Sequence, residues 1–148
     1  MFDALKDMTA NAKALNGNVI LREVLDDRAI QTEVIELNQQ QLEGKHVRGD
    51  GGAITRVYSK VSQRLYGKPN TPIILKDTGA FYASMKFKNN ANDFVLSGDT
   101  DKETENGVVD LQGYINGNPM GLTNESIEEI NIVIQPKLQS LVLENLRK

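Results

Sequence analysis

LKDTGAFYASMKFKNNANDFVLSG, residues 75–98, changes its hydrophobic period in mid-course, and that change decides how the chain folds. Asp77, Thr78 and Gly79 supply turn chemistry, because short carboxylate and hydroxyl side chains bond nearby backbone and glycine accepts conformations closed to other residues. Phe81, Tyr82 and Met85 follow at helix-like spacing, which predicts one short helical turn anchored by two aromatic rings. From Met85 the period falls to two. Met85 and Phe87 alternate with Lys86 and Lys88, and beyond the polar link Asn89 to Asp93, Phe94 and Leu96 alternate with Val95 and Ser97. Alternation places apolar side chains on one face only, so this is a β-hairpin with one wet face. Asp77, Thr78, Gly79, Phe81 and Tyr82 are the structural and interface candidates; none of them is catalytic on its face.

Upstream, Gly67, Pro69 and Pro72 break any helix, and Pro72 leads Ile73, Ile74 and Leu75 into the organising stretch as a short extended segment. Before the break the pattern has two readings. Ile54, Val57, Tyr58, Val61 and Leu65 keep helical spacing throughout, while Ser59 can cap a shorter helix from Lys60 to Tyr66 with Ile54 to Tyr58 extended before it. The link KHVRGDGG, residues 45–52, is glycine-rich, and Asp50 and Gly51 suit a tight hairpin turn between two short extended pieces. Its Arg-Gly-Asp tripeptide is too short to argue for cell adhesion, and its glycines lack the lysine and hydroxyl spacing of a phosphate-binding loop. Further back, the run from Val19 to Glu43 is free of Gly and Pro, with Leu21, Val24, Leu25, Val34, Ile35 and Leu42 among charged positions; it predicts a long helix or helix pair ending at Gly44. Phe2, Leu5, Met8 and Leu15 predict a first helix, stopped by Asn16, Gly17 and Asn18.

Downstream, DTDKETENG, residues 99–107, offers four carboxylates but neither the glycine nor the bidentate acid at the positions an EF-hand requires, so it is expected to be a solvated loop. Val108, Val109, Leu111, Tyr114 and Ile115, set among glycines, suggest a short helix or turn and an irregular crossing. Thr123 or Asn124 then caps a final helix, with Glu125, Glu128 and Glu129 near its positive end. Ile127, Ile130, Val133, Ile134, Leu138, Leu141 and Leu146 form its expected buried stripe, and Pro136 is expected to kink it into two pieces.

These elements predict one α+β domain over 1–148, in which a small antiparallel sheet packs against N-terminal and C-terminal helices; the helical part spans 1–43, the sheet-containing centre 44–121 and the last helix 123–148. With aromatics at 5% and no Trp the core is aliphatic and lean, a composition that leaves room for partner subunits to complete it. A net charge of −3 argues against wrapping nucleic acid, and the lack of cysteine excludes disulfides and thiolate chemistry. The opening residues do not read as a signal peptide, and no stretch reaches membrane-spanning length, so the expectation is a protein made in the cytoplasm. No cofactor or metal motif is present.

The order of several short motifs resembles the small head-tail connector and tail-completion proteins of tailed bacteriophages, in particular versions from phages of Bacteroidetes hosts. The matching residues are Asn38, Gln41 and Leu42 ending a helix; the glycine-rich Gly44 to Gly52; Tyr58 and Ser59; Gly67 and Pro69; Leu75, Asp77, Thr78, Gly79, Phe81, Tyr82 and Ser84; and Gly121 and Leu122 before an acidic helix start. The resemblance implies a non-enzymatic virion protein, a homomeric ring of twelvefold or sixfold symmetry in the neck or tail. Such a protein contacts portal or tail proteins through subunit interfaces, with DNA only as passing cargo and no membrane. The alternative is a small enzyme or ligand-binding domain using His46, the sole imidazole, or the acidic stretch from Asp99 through Asp101 and Glu103 to Glu105.

Overall fold

The computed structural model describes residues 17–76, 79–90 and 93–147. The first-helix positions Phe2 to Leu15, and Asp77 and Thr78 of the candidate turn, lie outside them. Helices α1 (Gly17–Leu25) and α2 (Arg28–Glu43) make the expected pair, parted by Asp26 and Asp27, and the Asp27 carboxylate caps α2 by accepting from the Ala29 amide at 2.8 Å. Gly17 and Asn18 lie in α1, and the stop expected for the first helix at Asn16 to Asn18 concerns residues that precede the described ones.

The two readings around Tyr58 resolve in favour of the shorter helix, α3 (Lys60–Tyr66). The Ser59 hydroxyl accepts from the Ser62 amide at 3.1 Å, and Gly67 ends the helix at φ 62°. The extended segment before it pairs Val57 with Pro72 in a single antiparallel bridge. The organising stretch follows as α4 (Ala80–Ala83), β1 (Lys86–Asn89) and β2 (Phe94–Ser97), with Phe87 opposite Leu96 and Asn89 opposite Phe94. Those four share the inward face, and Phe87 stacks on Phe94 at 5.0 Å between centroids. Gly79 opens α4 at φ 79° and ψ −3°, a left-handed conformation costly for any residue with a Cβ. Gly79→Ala is therefore expected to lower stability by about 1 kcal/mol, read from the urea midpoint, without touching a neighbour, since the space around it is open.

Residues 99–107 are not the solvated loop expected. They form β3 (Asp101–Thr104), a turn at Glu105 and Asn106, and the start of β4 (Gly107–Asp110), a second antiparallel hairpin in its own sheet. A strand on a wet surface needs no apolar alternation, so charge did not signal loop. The Asn106-Gly107 step was the legible sign of a hairpin turn, with the Thr104 hydroxyl donating to the Gly107 carbonyl at 2.7 Å. Asp110 then caps α5 (Leu111–Ile115), its carboxylate accepting from Gln112 and Gly113.

Helix α6 (Asn124–Arg147) begins on Thr123, whose hydroxyl accepts from the Ser126 amide at 3.3 Å. It runs through Pro136 as one 24-residue helix rather than two pieces. The proline lies on the exposed side, four residues after the exposed Ile132, whose carbonyl it leaves without a helical donor. The buried line is Ser126, Ile130 and Ile134; Ile127 and Val133 flank it and are exposed, not buried as expected. The architecture is α+β. Helices α1 and α2 pack on α6, and α2 packs on β1. One cluster of buried side chains joins α1, α2, α4, β2, α5 and α6 with Ile54, Ile73, Leu75 and Met120 from the connections. Helix α3 and the β3–β4 hairpin put no fully buried residue into it.

Candidate functional site

Two side-chain amides at the end of α2 hold the segment that leads into α6. The Asn38 amide donates to the Pro119 carbonyl at 3.0 Å and accepts from the Gly121 amide at 3.0 Å. Gln41 does the same two residues further on, donating to the Gly121 carbonyl at 3.0 Å and accepting from the Thr123 amide at 2.9 Å. Both side chains are at most 1% exposed. Three residues apart on a helix, they lie on one face and act as a short mimic of a strand edge, satisfying a segment that has no sheet to join. In the sequence they were noted only as members of a recurring order; helical glutamine and asparagine have no periodic signature of burial.

The glycine-rich loop closes over the same segment. Gly49, Asp50 and Gly51 make a three-residue hairpin loop, with the Gly51 amide bonded to the Arg48 carbonyl, the Arg48 amide to the Gly52 carbonyl, and Gly51 at φ 86°. The Gly49 amide donates to the Asn118 carbonyl at 3.0 Å, and a Cβ on Gly49 would sit 2.0 Å from the Met120 carbonyl oxygen, so only glycine allows the approach. The Arg-Gly-Asp tripeptide has a structural role here. Arg48 reaches Asp50 at 2.9 Å and the Ile115 carbonyl at 3.2 Å, tying the loop to the end of α5.

The Arg48 guanidinium, and after it the Gly52 amide, hold the Asp50 carboxyl below the usual carboxylate range. A depressed folded-state value contributes stability that is present above the unfolded value of about 4 and is lost as pH falls through the folded one. Asp50→Asn is thus expected to cost stability at neutral pH, with the urea midpoints of the two proteins converging on acidification below about pH 4. Parallel curves at all pH values would refute the pairing.

A cleft of about 370 Å³ lies between this loop and the start of α6. Lys45 spans its wall, with Nζ at 3.0 Å from Glu125 and 3.2 Å from Glu129, and these carboxylates raise the lysine above its ordinary range. The cation is engaged by its own walls, and the cleft gathers no nucleophile with a base. His46, the candidate of the catalytic alternative, lies where α2 gives way to the loop, at φ 53°, with its carbonyl accepting from the Ile54 amide at 2.7 Å. Among the described residues no three His, Asp or Glu side chains are gathered as a metal would need. Asp101 and Glu103 are spread along β3 instead of converging.

Of the interface candidates, Phe81 and Tyr82 are buried anchors rather than exposed contacts, each 7% exposed, and Gly79 provides the left-handed turn before them. Exposed apolar residues lie elsewhere. On α3, Val61, Leu65 and Tyr66 are 63%, 70% and 74% exposed, and on the outer stripe of α6, Ile132 and Leu143 are 73% and 51% exposed. Val108, on β4, is 65% exposed. Of these, Val61 and Leu65 were noted in the sequence only for their helical spacing, and Tyr66, Ile132 and Leu143 belonged to no expected stripe. Among the described residues no helix is long and apolar enough to cross a membrane. No protein-family model, curated protein or solved structure matches the chain.

Proposed function

We propose that this chain is a structural virion protein that forms a homomeric ring in the neck or tail of a tailed bacteriophage, as a head-tail connector or tail-completion subunit. It acts through subunit interfaces rather than a reactive site. The observation that carries this reading is the distribution of exposed apolar side chains over separate faces, α3 on one element and the outer stripe of α6 on another. A ring of identical subunits is built from heterologous contacts, so each copy needs two different surfaces, one for each neighbour. Contact with a further ring needs a third.

The motif order from Leu37 to Leu146 supplies the class of assembly, and the acidic balance suits a wall past which DNA moves without adhering. The motif residues have mechanical roles consistent with a rigid subunit: Asn38 and Gln41 clamp, Gly49 lets the loop close, and Phe81 and Tyr82 anchor the hairpin. The test is the particle. Mass spectrometry of purified virions, with imaging of the neck and tail at a resolution that traces chains, is expected to find this chain in a ring there. Its absence from virions overturns the reading.

A further inference from the structure

Two elements stand outside the core, and their charges are opposite. The segment 51–76, which contains α3, carries Arg56, Lys60, Arg64, Lys68 and Lys76 and no acidic residue. The segment 99–110, which contains the β3–β4 hairpin, carries Asp99, Asp101, Glu103, Glu105 and Asp110 against Lys102 alone. On α3 the residues Lys60, Val61, Arg64 and Leu65 occupy one contiguous face at helical spacing, all four exposed, so two cations flank two aliphatic side chains. On the hairpin, the register puts Asp101 opposite Asp110 and Glu103 opposite Val108, so these four share a face. That face is exposed along its whole length, while Lys102 and Val109 on the other face are half-buried. The hairpin therefore turns an acidic surface with an exposed valine at its centre away from its own body.

We infer that the Lys60–Val61–Arg64–Leu65 face of α3 docks on the outward face of the β3–β4 hairpin of a second copy of this chain. The choice of a second copy rests on the ring reading; the choice of these two faces rests on their chemistry. Each face is what the other lacks: cations around aliphatics meet carboxylates around an aliphatic. Neither element puts a fully buried residue into the core of its own subunit, and a two-stranded hairpin on its own is marginally stable in water. Like charges set directly opposite across a hairpin destabilise it, and since the Asp110 carboxylate is held by the Gln112 and Gly113 amides, approaching cations act chiefly on Asp101 and Glu103. Because the two faces differ, the contact is heterologous. It can then repeat from copy to copy around a ring, each subunit offering α3 to one neighbour and its hairpin to the other.

The chain has no cysteine, so introduced thiols report one contact at a time. Leu65→Cys and Val108→Cys proteins, mixed and oxidised at the highest soluble concentration, are expected to give a mixed disulfide dimer that neither protein gives alone. The double variant is expected to give a ladder of higher species. Lys60→Glu with Arg64→Glu should lower the mixed yield about tenfold, and Asp101→Lys with Glu103→Lys in the partner should restore it. Restoration separates docking from misfolding, and unchanged circular dichroism melts check the fold of each variant. Homodimers of each single variant without the mixed species, or no crosslink at all, overturn the proposal. So does binding of a mixed-sequence DNA duplex that Lys60→Glu with Arg64→Glu abolishes while the crosslinks persist unchanged, which would assign the basic face to DNA. Virion imaging that finds the chain in a ring with other faces in contact overturns this docking and leaves the ring standing. The mixed disulfide in a protein absent from virions does the reverse.

Discussion

Replacing Asn38 by Leu is expected to destabilise the protein by about 3 kcal/mol, because it leaves two buried backbone groups without partners at the cost of about 1 to 3 kcal/mol each. The Pro119 carbonyl loses its donor and the Gly121 amide loses its acceptor, in a segment that no strand is placed to satisfy. Leu fits the volume of the site, so the loss reports the hydrogen bonds rather than a cavity. Gln41→Leu removes the partners of the Gly121 carbonyl and the Thr123 amide and is expected to cost a similar amount. The double variant should cost less than the sum of the two. Both side chains hold the same five residues, and once one is gone the segment pulls away from the other. Urea midpoints give the magnitudes, and hydrogen exchange gives the place: the Gly121 and Thr123 amides should exchange slowly in the natural protein and quickly in either variant. Unchanged exchange in Asn38→Leu would mean that the clamp does not hold the segment.

The clamp also explains where the sequence was legible and where it was not. The hairpin Lys86 to Ser97 was readable because Phe87, Phe94 and Leu96 differ sharply in polarity from Lys86, Lys88 and Ser97, and a contrast with period two has one physical meaning. The second hairpin has the same geometry without the contrast. Its inward residues are Lys102 and Val109 and its outward ones Asp101, Glu103 and Val108, so alternation in burial is not alternation in hydropathy. Ser59 and Asp27 show that caps read well even where helix faces do not, since a cap needs one side chain and the backbone next to it. Asn38 and Gln41 needed a partner about eighty residues away, which no local pattern encodes.

The expected face of α6 held for Ile130, Ile134, Leu138 and Leu141 and failed for Ile127 and Val133, for a related reason. Seven apolar residues were assigned to one stripe, yet a helix that meets only α1 and α2 as its main packing partners covers one side. Burial runs along Ser126, Ile130 and Ile134, and Ile132 and Leu143 are left outside with Glu128 and Gln139. An apolar residue in a helix is therefore evidence of burial somewhere, and in a subunit that somewhere includes a neighbour. The candidate site divides the same way. Its scaffold, Gly79 with Phe81 and Tyr82, was visible from residue types, whereas the surfaces that the scaffold displays depend on which apolar side chains the core leaves out.

The largest single loss is expected from Phe81→Ala, about 4 kcal/mol, because removing a buried aromatic ring forfeits its transfer from water and leaves a cavity. The ring meets Tyr82 edge-on at 5.9 Å, and it lies so close to Gly98 that a Cβ there would come within 3.2 Å of its Cε2. The backbone around it is also engaged: the Ser84 hydroxyl donates to the Phe81 carbonyl at 2.6 Å and accepts from the Asp99 amide at 2.8 Å, joining α4 to the end of β2. Loss of the ring should therefore loosen the join between the two hairpins as well as the core. Tyr82→Phe is the milder comparison. It removes one hydrogen bond, from the phenol to the Ile74 carbonyl at 2.6 Å, and should cost about 1 kcal/mol. Burial pushes the Tyr82 phenol well above its ordinary range, so its contribution is complete below the unfolded value of about 10 and is lost as pH rises beyond it. The urea midpoint of the natural protein should fall more steeply than that of Tyr82→Phe in strong alkali. If Phe81→Ala leaves the midpoint unchanged, the ring is not a core anchor and the fold described around it is wrong. If it lowers the midpoint while the Leu65 to Val108 crosslink still forms in the fraction that remains folded, the anchor and the subunit contact are separate parts of the molecule, as their burial requires.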